Sequence, residues 1–244
     1  MHGEEIRRRY GGHYIFGLKN QGVSRAFRGK VVINLIFVDD DEAVWDEAAR
    51  ALFMVGYREA ICAFTDAAKD SGVELDISTR YGEYRLGGVY GVNKSWLSEF
   101  LEAHNVFSVC EYAERCRAEC GCAESPLVFV LNRPMRSHAK CASVDSFHKD
   151  EFSVVDVTDE PRIIMHELLH QFGAEDYYRP KAAKIAAEHY LPDTIMVKGR
   201  TIDSLTRYLI GWCDCIDDAA VSFLDAIKDL PFRPKDKNGF ETED

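Results

Sequence analysis

The stretch Lys30-Val31-Val32-Ile33-Asn34-Leu35-Ile36-Phe37-Val38 is almost continuously apolar and rich in β-branched residues. Such a run is typical of a β-strand that is buried on both faces of a sheet. Three aspartates at 39–41 end the run and offer oxygens that can cap a following helix. Apolar residues recur at helical spacing over about 42–70, and alternate from Val73 onward. This order predicts a strand–helix–strand unit with parallel strands and a right-handed crossover.

The remainder of the chain divides into a second sheet-forming part and a helical part. Residues 80–93, rich in Gly and Tyr, are predicted as a loop or hairpin, and 94–120 as a helix interrupted near Asn105. Two further apolar runs, at 126–131 and 152–157, predict strands. After Thr158 the pattern predicts helices at about 159–172, 180–190, 201–213 and 217–229.

The predicted fold class is α+β, with an α/β-like N-terminal half and a mainly helical C-terminal half. We expect one domain over 1–244, with a mixed sheet and long helices in 30–173 and helices in 174–230. Residues 231–244 are predicted to be a flexible polar tail.

Composition excludes several classes of protein. The chain has 244 residues, is 46% hydrophobic and carries a net charge of −11, so it is neither disordered nor suited to nucleic acid or an anionic membrane as partner. No apolar run approaches the roughly 18 residues of a membrane-spanning helix. No apolar segment follows the N-terminal charges, which predicts a cytoplasmic protein unless a secretory signal has been removed.

The segment His166-Glu167-Leu168-Leu169-His170 contains the residues that predict a metal site with an adjacent general base. On a helix, residues four apart lie about 40° apart around the axis, so both imidazoles can bind one metal ion. Glu167 lies about 100° from His166, where a general base for a metal-bound water belongs. Thr158 or Asp159 can cap this helix, and Pro161 is tolerated in its first turn.

Two histidines need a third protein ligand, with a fourth position left for water. Gly173 can take the left-handed conformation that ends the helix, and Asp176 then lies where the chain can return to the ion. A rival third ligand is Glu188 on the next predicted helix, as in aminopeptidase-like zinc hydrolases; Glu175 is a weaker alternative.

The pattern His166, Glu167, His170, Gly173 and Asp176 resembles the metzincin zinc metalloproteases, whose motif is H-E-x-x-H-x-x-G-x-x-H/D. Asp in place of the third His, with a tyrosine two positions later at Tyr178, is similar to the snapalysin-type and immune-inhibitor-type peptidases. The resemblance implies one catalytic Zn²⁺ on His166, His170 and Asp176. It also implies Glu167 as general base and Tyr178 as a residue that stabilises the oxyanion.

The resemblance further implies a Met-containing turn, for which Met196 in Pro192-Asp193-Thr194-Ile195-Met196-Val197 is the candidate. It implies a metzincin-like twisted sheet and a peptide substrate bound in extended form along an edge strand from residues 132–150. His138 or His148 could contact the substrate or a second ion there, but surface positions without such a role are favoured for both. The sequence departs from some metzincins at Lys198, where they carry a tyrosine.

The function predicted is therefore that of a zinc metalloendopeptidase. The alternatives are an aminopeptidase-like hydrolase that uses Glu188 and a metal-binding interaction module without efficient turnover. Buried thiols or a disulfide are favoured over a structural zinc site for two groups of cysteines. These are Cys110, Cys116, Cys120 and Cys122, and Cys213 with Cys215.

Overall fold

The computed structural model describes residues 1–142 and 150–230, which contain five strands and eight α-helices. The predicted tail at 231–244 and the candidate His148 lie outside the described residues. The strands are β1 (Gly29–Asp39), β2 (Leu75–Arg85), β3 (Leu127–Leu131), β4 (His138–Lys140) and β5 (Phe152–Asp156). The helices are α1 (Gly3–Tyr10), α2 (Glu47–Asp70), α3 (Trp96–Ala103), α4 (Val109–Cys120), α5 (Pro161–Gln171), α6 (Lys181–Tyr190), α7 (Ser204–Leu209) and α8 (Asp218–Ile227). None of these helices combines the length and the apolar character that crossing a membrane would require.

The five strands form one mixed sheet in the order β2-β1-β3-β5-β4. The pairs β1–β2, β1–β3 and β3–β5 are parallel, whereas β4 pairs antiparallel with β5. Val31 lies opposite Ile77 in the register of β1 and β2, and α2 connects these two strands. The predicted strand–helix–strand unit and the mixed sheet are therefore confirmed, and β4 forms one edge of the sheet.

Helices cover both faces of the sheet. Ile33 and Leu35 of β1 belong to the main hydrophobic cluster, together with residues of α2, α5 and the C-terminal helices. Ile36 and Val38 of the same strand belong to a second cluster, which includes residues of α3 and α4. The alternation confirms that β1 is buried on both faces. Because the main cluster runs from the sheet to Phe223 of α8, the predicted sheet-bearing and helical parts share one core.

The prediction of a loop or hairpin at 80–93 is wrong in its first part, because β2 continues to Arg85. The misleading signal was Gly82, which lies opposite Ile36 of β1. A Cβ atom added at Gly82 would lie 2.5 Å from Cδ1 of Ile36, so this glycine marks the close approach of a side chain rather than a turn.

Three helices also differ from prediction at one or both ends. The aspartates after β1 cap a turn instead of a helix: Asp40 Oδ1 accepts hydrogen bonds from the amides of residues 42 and 43, and α2 begins later, capped by Asp46. The N-cap of α5 is Glu160, which makes no side-chain capping bond, rather than Thr158 or Asp159. The helix predicted over 201–213 is shorter, because Asp203 caps α7 and it ends at Leu209.

Candidate metal centre

Helix α5 presents the two histidines from within the core. Pro161 occupies its first turn, where the missing amide hydrogen has no partner to lose, and every residue from Ile164 to Gln171 is buried. Polar contacts fix the helix against the sheet. Ser153 Oγ donates to the carbonyl of Glu167 at 2.7 Å, and Gln171 Nε2 donates to Ser153 Oγ at 2.8 Å.

Gln171 also bonds both backbone groups of Leu127. Its Oε1 accepts from the Leu127 amide at 3.2 Å, and its Nε2 donates to the Leu127 carbonyl at 3.0 Å. Sequence reasoning missed Ser153 and Gln171, although a glutamine directly after the second histidine of a largely apolar helix was visible. These contacts set the rotation of α5 and therefore the direction in which His166 and His170 point.

The predicted helix stop at Gly173 is confirmed. Gly173 has a φ of +97°, a left-handed conformation that costs glycine little. Its amide donates to the carbonyl of His170 at 3.1 Å, and the amide of Ala174 donates to that of Leu169 at 3.2 Å. These two bonds form a Schellman motif, which reverses the chain and directs residues 174–178 back towards the histidines.

Three side-chain atoms converge at the end of this turn. The Nε2 atoms of His166 and His170 are 3.1 Å apart, and Oδ1 of Asp176 lies 3.1 Å from the first and 3.2 Å from the second. Each histidine is only 7% exposed. Three tetrahedral ligands at zinc distances of about 2.0–2.1 Å would be about 3.3 Å apart, so the three atoms have close to the spacing that one such ion requires.

Backbone carbonyls hold the other nitrogen of each imidazole. Nδ1 of His166 lies 2.9 Å from the carbonyl oxygen of Ile195, and Nδ1 of His170 lies 2.7 Å from that of Ala174. Since a carbonyl only accepts, each Nδ1 carries the hydrogen, and each Nε2 of a neutral ring presents a lone pair to the centre. Backbone acceptors leave no signal in the sequence, which is why these two were not predicted.

When both histidines are neutral, the three converging atoms are therefore all acceptors. With both histidines neutral, Oδ1 of Asp176 is buried and has no hydrogen-bond partner among the residues that the structure describes. Two lone pairs and a carboxylate oxygen at this separation repel one another unless a cation lies between them. A metal ion or a proton can supply that charge, and the nitrogen and oxygen donor set suits zinc.

Without a metal ion the charge is supplied by a proton on the histidines. Burial lowers the pKa of His170, but the Asp176 carboxylate, with smaller contributions from Glu167 and the Ala174 carbonyl, outweighs burial and raises it to about 9. Burial likewise opposes ionisation of Asp176, yet the two histidines hold the pKa of its carboxyl well below its ordinary value. Metal binding at neutral pH therefore displaces a proton.

Glu167 lies beside this centre, as its position on the helix predicts. His166, Glu167 and His170 form a buried group that could hold a metal ion, with one ligand atom from each within 4.8 Å of the others. Tyr178 lies next to His166, and the two rings stack at a centroid distance of 6.3 Å. Burial, and then the adjacent Asp176 carboxylate, raise the pKa of the Tyr178 hydroxyl above its ordinary value.

Met196 lies in the loop between α6 and α7. Its side chain is fully buried in the main hydrophobic cluster, and its carbonyl accepts a hydrogen bond from the amide of Tyr177 at 3.1 Å. The preceding residue, Ile195, supplies the carbonyl that holds His166. This loop therefore contacts both the motif helix and the segment that carries Asp176, although a metzincin Met-turn stays a prediction.

The rival ligand Glu188 makes different contacts. Its carboxylate lies 3.3 Å from Nζ of Lys198 and 4.0 Å from Nζ of Lys184, and its side chain is 39% exposed. Within residues 1–142 and 150–230, the group of side chains that could hold a metal ion is His166, Glu167 and His170, and it includes neither Asp176, Glu188, Glu175 nor any cysteine. The ion pairs of the histidines join them to Asp176, the residue favoured by the motif.

The remaining candidates are dispersed. His138 is exposed on the edge strand β4, outside the metal centre. All eight cysteines are free thiols, so the cluster contains no disulfide. Within it only Cys116 is buried, and Cys110, Cys120 and Cys122 are partly exposed, so the prediction of buried thiols holds for Cys116 alone.

No protein-family model, curated protein or solved structure matches this chain. The function is therefore inferred from the geometry of the chain's own residues.

Proposed function

We propose that the protein is a zinc-dependent endopeptidase, with His166, His170 and Asp176 as metal ligands. One observation carries the proposal: three buried acceptor atoms lie 3.1–3.2 Å apart, without a hydrogen between them when the histidines are neutral. The adjacent Glu167 extends the proposal from metal binding to hydrolysis, since a carboxylate beside such a site can move protons.

The chemistry is divided between the ion and the protein. A bound zinc ion would polarise the peptide carbonyl and make a water molecule more acidic. Glu167 would accept the proton of the attacking water and pass it to the leaving amine. Tyr178 would donate its hydroxyl hydrogen to the carbonyl oxygen as negative charge develops there; burial and Asp176 keep that hydroxyl protonated at neutral pH.

The substrate would lie in extended form along β4. This strand ends the sheet order and pairs with β5 on one side. No strand within residues 1–142 and 150–230 pairs with its other side, where a peptide would make main-chain hydrogen bonds. An antiparallel edge strand next to the motif helix also supports the metzincin resemblance.

The test is a comparison of the parent protein with Glu167→Gln. We expect both to retain about one equivalent of zinc after gel filtration, while cleavage of a diverse peptide library falls by about 10²–10⁴-fold in the variant. Glu188→Gln is the matched control, since it removes a carboxylate on the neighbouring helix α6 and should leave both quantities unchanged.

Chelation should abolish cleavage by the parent protein, and added zinc should restore it. A parent protein that binds zinc but cleaves no peptide would instead identify a metal-binding interaction module. A parent protein that binds no zinc would contradict the proposed site itself.

A further inference from the structure

We propose that Asp203 is a positioning residue of the metal centre, and that it acts on His166 through Thr194 and the peptide unit between Ile195 and Met196. The inference rests on the proposed function, because it requires His166 to bind a metal ion. Asp203 lies at the N-terminus of α7, far along the chain from the histidine motif.

The first part of the connection joins two side chains. Thr194 Oγ1 donates its hydrogen to Oδ2 of Asp203 at 2.6 Å. Thr194 Oγ1 in turn accepts the amide hydrogen of Met196 at 3.3 Å. Thr194 is only 2% exposed, so water does not compete freely for either bond. The carboxylate thus fixes the direction of the hydroxyl, whose lone pair faces the peptide.

The second part passes through a single peptide unit. The amide of Met196 and the carbonyl of Ile195 are its two ends, and the carbonyl accepts the Nδ1 hydrogen of His166 at 2.9 Å. A peptide whose N–H is hydrogen-bonded presents a more negative carbonyl oxygen. A stronger acceptor at Nδ1 favours the tautomer that leaves Nε2 free for the metal and raises the basicity of that nitrogen.

Oδ2 of Asp203 is also connected, through two hydroxyl groups, to the segment that contains the proposed third ligand, Asp176. Oδ2 of Asp203 accepts from Thr206 Oγ1 at 2.7 Å, and the Thr206 hydroxyl is hydrogen-bonded to that of Tyr177 at 3.0 Å. Tyr177, which directly follows Asp176, also donates its amide hydrogen to Met196. Asp203 therefore restrains both the loop that orients His166 and the segment that supplies Asp176.

Helix capping alone does not account for these contacts. Capping of α7 uses Oδ1 of Asp203, which accepts from the amides of Leu205 and Thr206, each at 3.0 Å. Oδ2 is occupied by the two threonine hydroxyls instead. Asp217, the cap of α8, accepts from the amide of Ala220, and no hydrogen bond within the described part of the chain joins its side chain to the metal centre, so it provides a matched capping control.

The experiment measures zinc affinity by competition with a chromophoric chelator. Thr194→Val removes the hydroxyl at nearly constant volume, and we expect it to weaken zinc binding by about 10–100-fold, the usual effect of losing an outer partner of a ligand. Thr194→Ser keeps the hydroxyl and should restore the parent affinity. Asp203→Asn should weaken binding, whereas Asp217→Asn, which also keeps a capping oxygen, should not.

A second readout is the visible spectrum of the Co²⁺-substituted protein, which reports ligand geometry and should change in Thr194→Val but not in Asp217→Asn. If Thr194→Val and Asp203→Asn bind zinc as the parent does, the inference is overturned even when their melting temperatures fall. Failure of the parent protein to bind zinc would overturn the proposed function as well. If Thr194→Val does not fold, Asp203→Asn should still bind zinc more weakly than Thr194→Ser, and equal zinc affinities of these two variants would overturn the inference.

Discussion

The Nε2 atoms of His166 and His170 face each other across 3.1 Å, while their Nδ1 atoms are held by the carbonyls of Ile195 and Ala174. This relationship orients both rings before any ligand arrives. A cation that enters the centre therefore meets ligands that need little reorganisation, and the helix, the turn at Gly173 and the loop before α7 all contribute to that arrangement.

Replacement of Asp176 by Asn should weaken zinc binding by more than about 100-fold, because even an outer partner of a metal ligand is worth 10–100-fold. The variant keeps the volume of the side chain but removes its negative charge. Glu188→Gln makes the same chemical change at a carboxylate paired with Lys198, and it should retain the parent affinity. Equilibrium titration of zinc against a chelator measures both. The opposite ranking would support the Glu188-ligated alternative.

The metal-free protein should lose stability between pH 6.5 and 9. The pKa of His170 is about 9 in the folded state, above its ordinary 6.5, so protonation stabilises the fold fully below pH 6.5. This contribution disappears as the pH rises through 9. Over the same range, zinc affinity should increase, because a smaller fraction of the protein molecules must release a proton when zinc binds. Urea unfolding in the presence of a chelator, repeated with zinc, measures both trends.

Asp176→Asn is the control for this pH dependence, since the Asp176 carboxylate raises the pKa of His170. Burial lowers the pKa of Lys19 to about 8, which adds stability as the pH rises from 8 to 10.5. That effect is opposite in sign and common to both proteins, so it cancels when they are compared. Equal slopes in the parent and the variant would contradict the assignment.

Much of the fold follows from periodicity. The long apolar run at β1 and the helical spacing after it predict the βαβ unit, because burial on both faces of a strand leaves a clear pattern. The end of β2 could not be predicted, since Gly82 is also a turn former and only the position of Ile36 explains it. The predicted start of α2 was wrong for a related reason, because aspartate caps turns as well as helices.

The candidate site was predictable where side-chain chemistry has a fixed spacing. His166, Glu167 and His170 are brought together by the helix alone, and Gly173 makes the approach of Asp176 foreseeable. The carbonyls that fix the rings carry no sequence signal. Gln171 bonds Leu127, which is 44 residues away, and Asp203 bonds Thr194 across a loop without a recognisable sequence pattern, so these partners emerge only from the tertiary structure.

Gly22→Ala should destabilise the protein by at least about 1–3 kcal/mol, the usual cost of overpacking. An added Cβ would lie 1.6 Å from Oε1 of Glu151. Glu151 cannot withdraw easily, because its Oε2 accepts from the amides of Val23 and Ser24 at 2.7 and 3.0 Å. Gly12→Ala is the control, since no heavy atom of residues 1–142 or 150–230 lies within 4 Å of a Cβ there. Similar unfolding free energies for the two variants would contradict the expected steric clash between the added Cβ and Glu151.

Gly173→Ala should reduce both stability and zinc affinity. The positive φ of Gly173 costs an alanine about 1–2 kcal/mol. Its Cβ would also lie 2.9 Å from Cα of Lys19, a backbone atom that cannot rotate away, and the resulting overpacking adds about 1–3 kcal/mol. Because the turn directs Asp176 to the histidines, a shift of this turn also separates the metal ligands.

Gly72→Ala separates these causes. Gly72 has a φ of +66° after α2, but a Cβ atom there would have no heavy atom of the described residues within 4 Å. This variant should therefore show the conformational cost alone and bind zinc as the parent does. Urea unfolding and zinc competition on both variants test the argument. Equal losses of stability with unchanged zinc affinity would mean that the contact between Gly173 and Lys19 does not position Asp176.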